Sequence, residues 1–285
     1  MRIETAGPSV WRRSVSRVLL LALLVLPVGA AAENTWPDKV NAKYKVTFSG
    51  FDVGDFRFQS SIEQKKTYAL SGQAKLSLLM GTLKWSGSTQ TTGSLAGGEP
   101  KPVEHTFEYK GGSKPGSVAL SFQEGRVAKT ILVPPRSPSR KAVPLTEQHL
   151  EGVLEPLTAV MAMTRGRVDN PCNQTIAIFD GKQRFDLVLS FSRQERIKEA
   201  QPSGQPNIAY VCRVRYIPIA GHKNDSKMIA SIAGNEGIEV ALRPIPTANI
   251  LIPYRVTIPT FAGSAVLTSQ RVEITTGMRQ IALVH

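Results

Sequence analysis

Four histidines are the side chains of this sequence best suited to acid–base chemistry or metal binding: His105, His149, His222 and His285. None belongs to an H-E-x-x-H run or to another spacing that brings metal ligands together. His222 lies in a glycine-bounded loop, and His285 is the last residue of the sequence. Isolated histidines of this kind are typical of structural or solvated positions, so we predict no metal site and no cofactor.

Asp180 and Asp186 are the carboxylates that come closest to the paired acids of a glycoside hydrolase. Asp180 precedes Gly181, however, and this dipeptide is a strong signal for a β-hairpin turn. No G-x-S-x-G nucleophile motif and no glycine-rich phosphate-binding loop occurs in the sequence. The sequence therefore predicts a protein without catalytic residues.

Residues 1–32 have the order of parts of a secretory signal peptide. Arg12, Arg13 and Arg17 precede an apolar run at 18–26, and an alanine triplet that ends at Ala32 offers a cleavage site. The alternative is an uncleaved anchor, but a spanning helix needs about 20 apolar residues. We expect cleavage near Ala32, a periplasmic location, and a single curled β domain over 33–285 that does not span a membrane.

The formal charge of the whole chain is +13, and the leader contains four arginines and one glutamate. Its removal lowers the formal charge to +10, a surplus that favours anionic partners. In a cell envelope these partners would be lipid headgroups or acidic polymers, and we predict no nucleic-acid binding. Solubility alone is an equally good explanation, because the basic residues are scattered along the chain.

Cys172 and Cys212 are the two cysteines of the chain. An even count in an exported protein favours a disulfide. The bond would close a loop of about 41 residues and stabilise the fold by roughly 4 kcal/mol. Two free buried thiols are the alternative, and zinc binding is disfavoured because no histidine lies nearby.

Alternation of apolar and polar side chains is the main structural signal of the sequence. Tyr44, Val46 and Phe48 alternate with lysine and threonine, and similar runs recur to the end of the chain. Such runs are typical of antiparallel strands with one buried face. They predict a mainly β protein with a large curled antiparallel sheet, a spiral or open half-barrel of about 12–14 strands. One main helix is predicted after Glu155, with Pro156 at its first position.

A curled sheet of this kind would have a concave apolar groove. The most apolar cluster after the leader supplies the candidate groove residues. These are Leu76, Leu78, Leu79, Met80, Leu83 and Trp85. Ordinary core packing is the alternative role for the same side chains.

Two stretches around the cysteines resemble the domain-of-unknown-function 3108 family of bacterial envelopes. The first reads CNQT at 172–175 and IFDGKQRFDL at 178–187, and the second reads CRVRYIPIAG at 212–221. The resemblance implies a periplasmic protein without known enzyme activity and a disulfide between Cys172 and Cys212. The family is similar to the envelope integrity protein B type and, in shape, to the half-barrels that carry lipoproteins.

Three functions are compatible with these features. The first is a non-catalytic periplasmic protein that supports envelope integrity by binding a lipid, a lipoprotein or a protein partner in its groove. The second is an envelope hydrolase that acts on peptidoglycan, which would need titratable groups that converge in the groove. The third is a docking module for anionic polymers, whose affinity would fall steeply with salt.

Overall fold

The alternating runs form 14 antiparallel strands in one sheet. This computed structural model describes residues 1–3, 7, 36–78, 81–111, 115–135, 139–165 and 170–285, so most of the predicted leader, including its cleavage site, lies outside the described residues. The strands are β1 Lys39–Phe48, β2 Phe51–Glu63, β3 Thr67–Leu78, β4 Leu83–Ala96, β5 Glu99–Gly111, β6 Gly116–Gln123, β7 Arg126–Val133, β8 Gln174–Phe179, β9 Arg184–Arg196, β10 Ile208–Ala220, β11 Glu239–Ile245, β12 Ile250–Thr260, β13 Gly263–Thr276 and β14 Arg279–Val284.

The sheet consists of two meanders, β1–β7 and β8–β13, in which consecutive strands pair with each other. They meet where β1 pairs with β13. The strand order is β7-β6-β5-β4-β3-β2-β1-β13-β12-β11-β10-β9-β8, and β14 pairs with β13 beside this path. The predicted curled antiparallel sheet of about 12–14 strands is therefore confirmed. The Asp180–Gly181 turn also joins two strands as predicted, because Asp180 accepts backbone hydrogen bonds from Lys182 at 2.7 Å and Gln183 at 2.6 Å.

Two α-helices lie among the described residues, α1 at Pro156–Met163 and α2 at Lys227–Ala233. The first is the predicted helix. The second was not predicted because seven residues give no helical period, and its start depends on Ser226, whose hydroxyl accepts a hydrogen bond from the Ile229 N–H. Of the helices that the structure describes, none combines the length and the apolar character needed to cross a bilayer.

The segment before α1 connects the two edge strands of the sheet. Gly152 donates its N–H to Gly125 at 2.9 Å, next to the start of β7. Leu154 donates to Ala177, and Phe179 donates back to Leu154, both at 2.9 Å, so the segment runs beside β8. Because unpaired edge groups invite aggregation, these contacts cover part of each edge and connect the two edge strands.

Glu155 fixes the start of α1. Its carboxylate accepts the N–H groups of Leu157 and Thr158, both at 2.7 Å, which a helix otherwise leaves unpaired. Pro156 has no N–H to satisfy, so it is well suited to the first position. The cap is completely buried, because Glu155 has no exposed side-chain surface.

A buried polar network attaches this cap to the inner face of the sheet. His105 Nδ1 on β5 lies 2.9 Å from Glu155 Oε2 and 2.9 Å from Thr91 Oγ1 on β4. Tyr68 on β3 shares a 2.9 Å hydrogen bond with Thr158 of the helix. Burial raises the pKa of Glu155. The hydrogen bond and charge of His105, together with the two cap donors, lower it by more, so the pKa lies below the usual value of a glutamate.

Cys172 and Cys212 form the predicted disulfide. The bond joins the residues before β8 to β10, with the two Cα atoms 5.3 Å apart, and both side chains are fully buried. The alternative of two free thiols is excluded for this structure. The bond sits in a core cluster that includes Ala159 and Met163 of α1, so it supports the strands that face the helix.

Removal of the disulfide should destabilise the protein strongly. The bond closes a segment of sequence separation 40, for which chain entropy predicts a loss of about 4 kcal/mol in the free energy of unfolding. Urea unfolding of the Cys172→Ala/Cys212→Ala variant measures this loss. Reduction of the wild-type protein is the matched control and should give a similar value. A loss below about 1 kcal/mol in both cases would contradict the expectation.

Replacement of Glu155 by Gln should cost about 3 kcal/mol at neutral pH, because His105 loses its charged partner and one cap bond is lost. Glu147→Gln is the control, since Glu147 is exposed and pairs with Arg126 on the surface.

The contribution of Glu155 to the free energy of unfolding is present above the pKa of an unfolded carboxyl, about 4.3. It disappears as pH falls through the lower pKa of the folded state. Urea unfolding from pH 7 to pH 3 should therefore show the difference between wild type and Glu155→Gln shrinking in acid. A difference that stays constant over this range would be inconsistent with an ionised cap.

Candidate ligand cavity

An apolar cavity of about 460 Å³ lies inside the curl. This volume falls in the range of small-molecule binding sites, about 300–1,000 Å³. Its lining comes from both meanders and from both helices. The lining residues are Trp36, Pro37, Val40, Ala42, Tyr44, Phe56, Phe58, Ser60, Leu157, Val160, Met161, Met163, Thr164, Phe185, Leu187, Val214, Tyr216, Ile232, Ile238, Val240, Ile250, Ile252, Pro253, Val256, Ile258 and Leu267.

The lining follows from the period of two along each strand. On β1 the residues Val40, Ala42 and Tyr44 face inward and are buried, while the residues between them are exposed or half-buried. The register continues this face, since Ala42 lies opposite Phe58 on β2 and opposite Val272 on β13. The same alternation that predicts the sheet therefore places the cavity wall.

Helix α1 closes one end of the cavity. Leu157 and Met161 are buried on the side that faces the cavity, and Met163 follows at the end of the helix. Methionine side chains adapt to irregular shapes, so this end can adjust to ligands of different length. Arg165, after the helix, lies 4.6 Å from the centroid of the Trp36 ring, which fixes Trp36 at the same end.

The polar groups of the wall are few and neutral. Among its described residues the lining contains no Asp, Glu, His, Lys or Arg. Burial raises the pKa of Tyr44. Burial and the charge of Asp180 raise the pKa of Tyr216 to about 12, and its hydroxyl contacts Gln183 Oε1 at 3.4 Å. Such a wall can hold a hydrocarbon chain, but it has no side chain suited to transferring a proton near neutral pH.

Three of the six candidate groove residues have described side chains, and these lie outside this cavity. Leu76, Leu83 and Trp85 line a second, wider groove of about 1530 Å³ at one end of β1–β5. The side chain of Leu78, and Leu79 and Met80 as a whole, lie outside the described residues. The described members of the sequence cluster therefore line this groove rather than the cavity, whose wall is assembled from residues more than 200 positions apart.

Three of the four histidines and both acids considered for chemistry have partners for their side chains, whereas the buried Nδ1 of His222 has no hydrogen-bond partner among the described residues. His105 belongs to the buried network around Glu155, and His149 Nδ1 accepts the Thr146 N–H at 3.2 Å in a short 3-10 turn. Asp186 pairs with Arg184 at 2.6 Å. In the part of the chain that the structure describes, no three His, Cys, Asp or Glu side chains are grouped to bind a metal ion.

Arg243 is a second buried ionic centre that the sequence did not reveal. Its guanidinium lies 2.6 Å from Glu199 and 2.8 Å from His285 Nε2, and it has no exposed surface. Burial and the Arg243 cation lower the pKa of His285 to about 4, against the opposing charge of Glu199. His285 is therefore neutral at physiological pH and holds the end of the chain against Ser269 and Tyr254.

Comparison with known structures supports the fold. The chain is similar to a crystal structure of a beta-barrel-like protein of domain of unknown function DUF1849 from Brucella abortus. The two share 11% sequence identity and a TM-score of 0.53, over 84% of this chain and 99% of that one. At this identity the likeness concerns the fold alone.

No curated protein matches the sequence. The sequence model of a family described as "Protein of unknown function (DUF3108)" matches residues 43–270, which is most of the chain and includes both cysteines. This match agrees with the resemblance found in the two cysteine segments. The chain therefore belongs to the DUF3108 family.

Proposed function

We propose that this protein is a non-catalytic periplasmic protein that supports the cell envelope by holding the acyl chain of a lipid or lipoprotein in its interior cavity. The observation that carries the proposal is the wall of the cavity, which is apolar over both meanders and lacks charged side chains among its described residues. An apolar chain gains free energy there because it leaves water without losing hydrogen bonds.

The expected affinity follows from the methylene groups that the cavity can bury. Each buried methylene contributes about 0.8 kcal/mol. Ten methylenes would contribute about 8 kcal/mol, which corresponds to a dissociation constant in the micromolar range before the cost of ordering the chain. The protein would therefore suit reversible carriage of a lipid rather than permanent storage.

The positions of the titratable groups support a non-catalytic role. A peptidoglycan hydrolase would need acids or histidines that converge on its substrate. His105 and Glu155 are instead buried around the helix cap, and Asp180 and Asp186 have hydrogen-bond and ion-pair partners of their own. None of these four residues lines the cavity.

The proposed compartment rests on the leader and the cysteines. A signal peptide directs the chain out of the cytoplasm, and a buried disulfide is typical of proteins in an oxidising compartment. Cys172 and Cys212 form such a bond. A periplasmic carrier would also meet the lipids that its cavity suits.

Ala42→Phe should block ligand binding by adding a ring to the cavity wall. The probe is cis-parinaric acid, whose fluorescence rises when its chain leaves water. Wild type should bind it reversibly, and Ala42→Phe should bind at least about tenfold more weakly, since overpacking opposes a second occupant. Asn41→Phe is the control, because Asn41 is the neighbouring residue on the opposite face of β1 and does not line the cavity.

Equal affinity of all three proteins, or absence of binding by wild type, would refute the proposal. Circular dichroism and the urea midpoint of each variant establish that the sheet remains folded.

Export should remove the leader. Protein expressed from the full chain and recovered from a periplasmic extract should begin near Glu33, as determined by N-terminal sequencing and intact mass. Replacement of Ala30 and Ala32 by Gln should prevent processing, because the peptidase needs small residues at these positions. Recovery of the wild-type chain only in uncleaved form would exclude the proposed processing.

A further inference from the structure

Turns from different parts of the chain gather at one end of the sheet. Phe48, at the end of β1, pairs with Phe51 on one side and with Ala265 on the other. Ser49 also donates its N–H to Ser264 at 2.9 Å. The β1–β2 turn and the β12–β13 turn are therefore direct neighbours.

The β3–β4 turn lies at the same end, because β2 and β3 are antiparallel and Gly54 lies opposite Leu76. Large apolar side chains are exposed on all three turns. The exposed fraction is 76% for Phe51, 95% for Phe261 and 43% for Leu83. A single exposed apolar residue is ordinary, but a group at one end of a fold marks an interaction site.

Three lysines accompany these apolar residues. Lys75 and Lys110 both lie opposite Ser86, and Lys84 lies two residues before Ser86 on β4. The three therefore share one face of the sheet, opposite to the face of Trp85. All three are exposed, and the groove of about 1530 Å³ at this end of the sheet is lined from both faces, by the three lysines on one face and by Leu83 and Trp85 on the other.

The two acids that also line this groove, Asp52 and Asp55, lie within ion-pair distance of other cations. Asp52 pairs with Lys45 at 2.8 Å, and Asp55 lies 3.4 Å from Arg57, although Lys75 is its cross-strand neighbour. None of the three lysines forms an ion pair within the described part of the chain. This end of the sheet therefore combines unpaired cations with exposed aromatic side chains.

We propose that this end of the sheet, formed by Phe51, Leu83, Phe261, Lys75, Lys84 and Lys110 and called here the tip surface, docks on an anionic phospholipid bilayer. Phe and Leu side chains insert at the boundary between headgroups and acyl chains. Lysines next to the bilayer are attracted by anionic headgroups. A docked tip surface would bring the bilayer within a few residues of the cavity, because Ile258 lines the cavity and lies three residues before Phe261.

Co-sedimentation with vesicles tests this proposal. Protein expressed from the full chain, with its mass determined after purification, is mixed with vesicles of phosphatidylcholine alone or with about 30% phosphatidylglycerol, which supplies anionic headgroups. Wild type should bind the anionic vesicles at least about tenfold more tightly. This preference should diminish as salt rises from about 0.05 M to 0.5 M, because the lysines are exposed to solvent.

Matched variants separate the tip surface from general properties of the protein. Phe51→Ser/Phe261→Ser should weaken binding about tenfold, whereas Met278→Ser should not, since Met278 is fully exposed on the β13–β14 turn at the other end. Lys75→Gln/Lys84→Gln/Lys110→Gln should weaken binding by at least about tenfold. Lys39→Gln/Lys66→Gln/Lys101→Gln has the same change of charge at the opposite end and should bind more tightly than the tip variant.

Several outcomes would overturn the proposal. One is equal binding to neutral and anionic vesicles, and another is equal loss in the tip variants and in their controls. Self-association of wild type without vesicles, abolished by Phe51→Ser/Phe261→Ser, would assign the tip surface to a second copy of this chain instead. Ala42→Phe should leave vesicle binding unchanged, so a failure of the cavity proposal is distinguishable from a failure of this one.

Discussion

A curled sheet of 14 strands encloses more volume than its own inward side chains fill, and the rest of this structure follows from that constraint. Barrels of about eight strands are just filled by their side chains, and larger ones leave room inside. Here α1 fills one end, the inward residues of the two meanders fill much of the remainder, and about 460 Å³ stays open. Because this space has an apolar wall, it suits an apolar guest better than water.

The position of α1 depends on a buried polar network rather than on apolar packing alone. A buried carboxylate is costly unless donors surround it, and Glu155 has two backbone N–H groups and His105 around it. The network thus specifies one position for the helix against β3, β4 and β5. In another part of the fold, buried Arg243 holds Glu199 and His285 together in a similar way.

Much of this fold follows from the sequence, because a period of two along each strand is a local property. The strands, the turn at Asp180, the start of α1 and the pairing of Cys172 with Cys212 could all be predicted. The short helix α2, the strand β14 and the segment that connects the two edge strands could not, because they depend on contacts made by distant residues. The cavity was also missed. Residues such as Ala42 and Val240 show the same apolar alternation as residues that are packed in the core. Only the curvature of the sheet decides which inward side chains contact another side chain and which line the cavity.

The central claim is that this space holds a lipid chain in the cell. Mass spectrometry of an organic extract of wild-type protein, purified from envelope fractions without detergent, tests it most directly. The account predicts an amphiphile with an acyl chain at close to one molecule per protein, depleted from Ala42→Phe but retained by Asn41→Phe. Extracts without lipid, or with the same lipid content in all three proteins, would contradict it.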